Sequence, residues 1–237
     1  MKITQCLVPI GLVLALTSLA ATAEPVTPNK GTEDGFLAMF NGRDLTGWEG
    51  LPGRWEVRDG VIQCETTEAH PGDRTHYLYW KGAQPADFEM RCAFRVAGPA
   101  NTGVQFRSET RPNFNTWGYQ ADVDAAGQYV GCFYQHGRGL VARRGQKVVI
   151  DEVGKKTITP IGDPAELLKA VRKGDWNELR LVADGSRMAY WLNGVLMCEV
   201  EDHEPKYALP KGVIALQMHK GPPMKVEFKD LRIRIVK

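Results

Sequence analysis

Three short alternating runs hold the side chains best suited to chemistry. In the first, Gln105 and Arg107 alternate with Val104 and Phe106. In the second, Gln120 and Asp122 alternate with Tyr119, Ala121 and Val123. In the third, far downstream, Gln217 and His219 alternate with Leu216 and Met218. Successive side chains of a strand point to opposite faces, so each run puts a polar pair on one face and apolar groups on the other. If the three strands are neighbours, the pairs merge into one patch. Imidazole titrates near neutrality. Guanidinium is a fixed cation with several directed donors. A carboxyl group can serve as acid or base when burial raises its pKa. Such a patch is equipped for acid–base work, and His136, in Tyr134-Gln135-His136, is a further imidazole candidate. One wet face is ordinary for an antiparallel sheet, but wet faces usually carry Lys, Glu, Thr and Ser. The less usual Gln-x-Arg, Gln-x-Asp and Gln-x-His pairs favour a site.

The elements that must position these residues are strands. Trp55–Val57 and Val61–Cys64 flank Asp59-Gly60, a tight-hairpin pair. Phe88, Met90, Cys92, Phe94 and Val96 share one parity, against Glu89, Arg91 and Arg95. Asp184-Gly185 and Asn193-Gly194 break residues 176–200 into a three-stranded meander. One helix is expected over residues 163–173, with Asp163 as N-cap, Pro164 at the first position, Glu166 completing a capping box and Gly174 as the stop. Many short strands, tight turns and one small helix predict an all-β sandwich or barrel. Gly137-Arg138-Gly139 has no helix behind it, which argues against a phosphate cradle.

Of the 237 residues, 43% are hydrophobic and 24% charged, with a formal net charge of +2. That composition is globular, and so small a charge gives no reason to expect nucleic acid or an anionic membrane as partner. Residues 1–23 read as a secretory signal peptide: Lys2, an apolar run, and Ala21-Thr22-Ala23 at the cleavage position. Residues 24–34 read as a loose linker and residues 35–237 as one domain. The expected location is therefore secreted or periplasmic, with no membrane span once the leader is removed. Cys64, Cys92, Cys132 and Cys198 remain; their even count permits two disulfides, while their irregular spacing equally suits small buried hydrophobes.

Several short pieces in a fixed order make the chain resemble the 3-keto-disaccharide hydrolase family from about Gly35 to Val236. They are FNGRDLTGW (40–48), WEVRDGVI (55–62), NTGVQFRSE (101–109), GYQADV (118–123), FYQHGRG (133–139), WNELRLVADG (176–185), WLNG (191–194) and GVIALQMHKGPPMKVEFKDLRIR (212–234). The resemblance implies a concanavalin A-like jelly-roll β-sandwich with sugar handled on its concave face. It also implies export from a glycan-degrading bacterium. Around Gln135-His136, where members often carry an acidic residue, this chain departs from the pattern.

A 3-keto sugar has an acidified proton on C2. A base removes it, the C1 substituent leaves by β-elimination, and water added back completes a net hydrolysis. The chemistry wants a base near neutral pKa, a partner for the enolate oxygen and an acid for the leaving group. His136 or His219 suits the base, Arg107 the enolate, and Asp122 either orients a histidine or acts as acid or base itself. Gln105, Gln120 and Gln217 would hold hydroxyls, and Trp117 and Tyr134 would stack on a pyranose face; Tyr119 shares the parity of Val123 and reads as core. His70, His76 and His203 lie in loop-like segments and read as surface. No cofactor is expected. A divalent cation on Asp122, His136 and His219 would polarise the ketone, but no spacing motif supports it. An ordinary glycosidase needs two carboxyl groups about the scissile bond, and the patch offers Asp122 with only Glu109 as a second. The rival reading is a non-catalytic carbohydrate-binding module, since this fold does not fix function.

Overall fold

The computed structural model describes Met1 and residues 35–236. The expected signal peptide and linker lie outside the described residues. In chain order the strands are β1 (Leu37–Ala38), β2 (Trp48–Glu49), β3 (Trp55–Arg58), β4 (Val61–Thr66), β5 (His76–Trp80), β6 (Phe88–Ala97), β7 (Asn101–Arg111), β8 (Asn115–Asp124) and β9 (Phe133–Gln135). They continue with β10 (Gly139–Ala142), β11 (Gln146–Ile150), β12 (Lys156–Pro160), then helix α1 (Pro164–Leu168), β13 (Asn177–Asp184), β14 (Arg187–Leu192), β15 (Val195–Asp202), β16 (Val213–Met218) and β17 (Met224–Ile235).

They form an all-β jelly-roll sandwich. One sheet runs β12-β11-β15-β14-β13-β6-β17-β4-β3 with β1 added on β17; the other runs β10-β9-β8-β7-β16-β5-β2. Alternation decides which side chains meet between them. Met90, Cys92 and Phe94 of β6, Leu179 and Leu181 of β13, and Phe228 of β17 face Val104, Phe106, Tyr119 and Phe133 of the second sheet, all essentially inaccessible. Burial of this apolar surface is the main stabilising term. The four described cysteines are free thiols within the buried interior, so the small-hydrophobe alternative holds.

Turn chemistry places most hairpins where expected. Asn193 and Gly194 both have positive φ, 48° and 81°, as a two-residue hairpin turn requires. The preceding turn is displaced by one residue. Asp184 pairs with Arg187, so Gly185 and Ser186 occupy its centre, with glycine in the first central position.

The helix is shorter than residues 163–173. The Asp163 carboxylate accepts from the backbone N–H of Ala165 and Glu166, at 2.8 and 2.9 Å, as a cap should. Beyond Leu168 the backbone N–H groups of Lys169, Ala170 and Val171 bond three residues back, to Glu166, Leu167 and Leu168. The apolar face thus continues through tight turns, without α-helical geometry. Two pairings have no signature in the sequence: β12 is an exposed edge strand, and β11 runs parallel to β15. His76 is also misplaced by the sequence reading. It opens β5, is buried, and its Nδ1 accepts from Trp55 Nε1 at 3.2 Å.

Candidate functional site

The second sheet turns its other face outward, and there the polar pairs gather. β8, β7 and β16 are adjacent. Gln105 pairs with Gln120 and with Ala215, and Gly103 pairs with Asp122. Gln120 also pairs with Tyr134 of β9. A cleft of about 680 Å³ opens on this face; Gln120, Asp122, Tyr134, His136, Gln217 and His219 all line it. Two buried glycines leave room for the side chains beneath it. A Cβ on Gly103 would lie 2.6 Å from Ala121 O and 2.8 Å from Gln120 Cγ, so the Gln120 side chain rests where a side chain would stand. A Cβ on Gly118 would lie 2.6 Å from Ser108 Cα.

One hydrogen-bonded chain crosses four strands of the floor. Ser108 Oγ donates to Gln105 Oε1 at 2.8 Å, and Gln105 Nε2 to Gln120 Oε1 at 2.9 Å. Gln120 Nε2 donates to Asp122 Oδ1 at 2.6 Å and to Gln217 Oε1 at 3.2 Å. Gln217 Nε2 donates to the Tyr77 hydroxyl at 2.9 Å. Both Gln120 N–H bonds are therefore engaged, and Gln120 orients Asp122 instead of reaching for a hydroxyl. Gln105 is fully buried beneath it and supports the floor without lining the cleft. Gln217 keeps one amide N–H and an acceptor lone pair free of these bonds.

Asp122 is 8% exposed and has no ion-pair partner among the described residues. Its backbone is pinned from the opposite sheet, where the Tyr190 hydroxyl donates to Asp122 O at 3.0 Å. Burial pushes its carboxyl up to about 7; the Gln120 bond opposes this and the nearby Asp124 charge adds to it. Asp124 itself accepts backbone N–H bonds from Gln128, Tyr129 and Val130, which shape the adjoining loop.

His136 sits just past β9, its backbone N–H bonded to Gly118 O. Its ring lies among Tyr134, Trp117 and Tyr77, with centroids 5.4, 5.9 and 6.5 Å away. Burial in this ring cluster lowers its pKa, so the imidazole is neutral at pH 7. Nδ1 lies 3.2 Å from Gly118 O. His219 stands at the rim, half-buried, with Nδ1 2.6 Å from Lys220 O. Tyr134 lines the cleft next to Leu140. Trp117 does not; it is 37% exposed and backs the His136 ring, while the Arg111 guanidinium lies 5.7 Å over its own ring.

Arg107 departs from the sequence expectation. A bulge interrupts the β7–β8 register between Phe106 and Glu109, and Arg107 has φ +43°. The extra residue breaks the alternation that would have set Arg107 beside Gln105. Its guanidinium instead runs to the other sheet. Nε donates to Ala86 O at 2.9 Å, Nη1 to Gly185 O at 2.7 Å and Nη2 to Asp87 Oδ1 at 3.1 Å. It is a buried strut outside the cleft.

Tyr77, Asn101 and Asn115 also line the cleft and were not singled out from the sequence. For Tyr77 the signal existed: in His76-Tyr-Leu-Tyr-Trp80, Leu78 and Trp80 take the core parity and Tyr77 and Tyr79 the other. Its hydroxyl accepts from Gln217, and burial raises its pKa, so it retains a proton to give. The two asparagines begin their strands, where alternation carries little information. Asp122 is the sole carboxylate among the described cleft-lining residues. Glu109 is exposed and paired with Arg111. Among the described residues, no three His, Cys, Asp or Glu side chains are grouped to hold a metal.

Sandwich and cleft together define a jelly-roll protein with a polar cleft on the outer face of one sheet. More narrowly, the chain belongs to the family described as 3-keto-alpha-glucoside-1,2-lyase-like domain, whose model matches residues 35–234. A Bacteroides thetaiotaomicron protein named 3-keto-disaccharide hydrolase is 25% identical over 84 residues, which are 32% of this chain and 28% of that relative. The matched region thus spans under a third of the relative's length. Among solved structures, a Parabacteroides distasonis protein provisionally assigned as a glycosyl hydrolase superposes with a TM-score of 0.58 at 18% identity, covering 86% of this chain and 100% of that one. A carbohydrate-binding module from Bacillus subtilis superposes with a TM-score of 0.53 at 17% identity, covering 79% and 95%.

Proposed function

We propose that this protein cleaves 3-keto glycosides, with Asp122 as the base that takes the proton from C2. The observation that carries the reading is a nearly buried carboxylate, held by one neutral amide and raised to about 7, on the wall of a sugar-sized cleft. A base so poised is effective at neutral pH. It takes the C2 proton, and the C–H electron pair becomes the enolate. Tyr77, which retains its hydroxyl proton, donates to the developing C3 oxygen in the role first assigned to Arg107. The enolate collapses, C3=O re-forms, a C1=C2 bond forms and the C1–O bond breaks. His219 at the rim protonates the departing oxygen. Water then adds across C1=C2, oxygen to C1 and hydrogen to C2, for a net hydrolysis; the ketone is supplied with the substrate and no oxidant is needed. Neutral His136, Tyr134 and Gln217 hold the ring. The apolar leader of the sequence would place this activity outside the cytoplasm.

A two-carboxylate glycosidase mechanism has no support in the cleft, because a second carboxylate is missing among its described lining residues. The binding-module reading has one: the floor is an amide network of the kind that fixes polar ligands without turnover.

Incubating the purified protein with a 3-keto disaccharide and with its unoxidised parent, then following free monosaccharide, separates the two. Turnover of only the oxidised sugar is expected, unaffected by a chelator. Asp122→Asn should lower kcat by about 10³-fold. The wild-type kcat/KM should rise with pH through a limb near 7, because the base works only as carboxylate. Saturable binding with no turnover of either sugar would overturn the catalytic reading and leave the module.

A further inference from the structure

A second cavity, of about 320 Å³, adjoins the cleft, and Gln128 and Arg143 line both. These two side chains form the saddle between them. The chemistry changes across it. The cleft offers Tyr77, Asn101, Asn115, Asp122 and Gln217 as hydrogen-bonding partners. The second cavity is walled by Ile158 and Pro160 of β12 and by Pro164, with Cys132 buried beneath. Ile158 is 52% exposed, one of the few large apolar side chains of the described chain left open to solvent. No carboxylate lines this cavity among the described residues.

Its one deeply held cation is already engaged. Arg144 Nε donates to Pro164 O at 2.9 Å, Nη2 to Gly127 O at 3.1 Å, and Nη1 to Val130 O. These bonds tie the loop before β9 to the first residue of α1, so the guanidinium shapes the cavity and is not free to read a ligand. The cavity's other polar side chains are Gln128 and Arg143 at the saddle and Gln146, whose Oε1 already accepts from the Arg143 backbone N–H at 2.9 Å. A sugar ring seated beyond them, against Ile158 and the prolines, would lose hydration of several hydroxyls for few partners, which is costly. An apolar ring would gain from covering Ile158 and the prolines.

We propose that this second cavity is an aglycone site, selecting 3-keto glycosides whose C1 substituent is an apolar ring over those carrying a second sugar. The proposal rests on the placement of the keto sugar at Asp122. With that ring in the cleft, a substituent crossing the saddle beneath Arg143 reaches Ile158 and Pro160. Among the described strands β12 is an edge strand whose ladder pairing is with β11 alone, so the wall belongs to an element whose sequence can vary without disturbing the core.

The test uses two alkyl glycosides, so that leaving-group acidity stays similar, methyl and cyclohexylmethyl 3-keto-glucoside in both anomers, and a 3-keto disaccharide as the sugar-bearing comparison. Affinities are measured by calorimetry on the full chain carrying Asp122→Asn, where turnover does not interfere. The cyclohexylmethyl compound should bind about tenfold tighter, and adding Ile158→Asp should remove that gain while changing methyl affinity less than about twofold. Ile158→Ala should give an intermediate loss. Equal affinities, a disaccharide preference, an Ile158→Asp variant that retains the gain, or no binding of either compound each overturn the aglycone site. If the preference and its loss are seen but the wild-type chain turns over neither compound, the aglycone site stands and the catalytic reading falls.

Discussion

Asp122 and Asp202 are carboxylates at similar depth, 8% and 3% exposed, and the protein treats them oppositely. Asp202, at the end of β15, is wrapped in donors. Arg138 forms a buried ion pair with it, the Tyr119 hydroxyl donates at 2.5 Å, and the Glu204 backbone N–H donates at 3.1 Å. Asp122 receives one neutral amide N–H and faces the cleft. Adjacent positions of β8 sort them: Tyr119 points into the sandwich toward Asp202 of the opposite sheet, and Gln120 points the other way toward Asp122. A carboxylate given a cation becomes a brace. A buried carboxylate without a cation is pushed by burial to near-neutral pKa, where it can exchange a proton. At similar depth, the two differ in the donors that surround them.

Removing the brace gives the largest expected effect. Asp202→Ala leaves the Arg138 guanidinium buried with Glu204 as its remaining ion-pair partner. Loss of one member of a buried pair costs about 3–5 kcal/mol. Denaturant unfolding should show a loss of that order, with turnover per folded molecule within about twofold of wild type. A mild stability change with abolished turnover would invert the assignment of the two aspartates.

The opposite sign is expected at Asp122. An unfolded aspartate titrates near 3.9, and the folded group near 7. Between those values the folded chain holds a proton that the unfolded chain has released. Its stabilising contribution is complete below about pH 4 and is lost as pH rises through 7. Asp122→Asn cannot ionise and can keep the Gln120 bond through Oδ1. It should match wild type at pH 4 and exceed it at pH 8, by up to about 4 kcal/mol for a shift of this size. Melting curves across that range test it, and a constant offset would mean that the folded carboxyl is not raised.

Much of this was legible in the chain. Strict alternation in Gln120-Ala-Asp122, Ala215-Leu-Gln217 and Phe88–Val96 reports faces directly, because a one-residue error would put charge in the core. Asn-Gly and Asp-Gly pairs report hairpins for steric reasons. Three things were not legible. The parallel β11–β15 pairing depends on which distant edges meet, which no local pattern encodes. Burial of His76 depends on Trp55, 21 residues earlier, as its partner. The bulge at Arg107 has no local marker, since an arginine in left-handed backbone is uncommon and is retained here by tertiary bonds.

Arg107 gives the smallest effect and the sharpest test of that last point. If alternation had held, Arg107 would touch substrate and its removal would act on turnover. As a strut, it acts on stability. Arg107→Met keeps much of the stem's packing volume but leaves the Ala86 and Gly185 carbonyls and one Asp87 oxygen without its donors. Asp87 Oδ1 keeps the Gly185 backbone N–H at 2.9 Å, so the loss is less than for a fully stranded charge, about 2 kcal/mol. Loss of the carbonyl bonds also removes what holds the bulge in place. Amide hydrogen exchange should therefore quicken at Phe106–Glu109 ahead of the strands on either side. The kcat/KM for a 3-keto substrate should stay within about threefold, since the floor of the cleft is secured through Gln105 and Gln120. A fall of a hundredfold in kcat with stability intact would return Arg107 to the reaction and show that the bulge reverses when substrate binds.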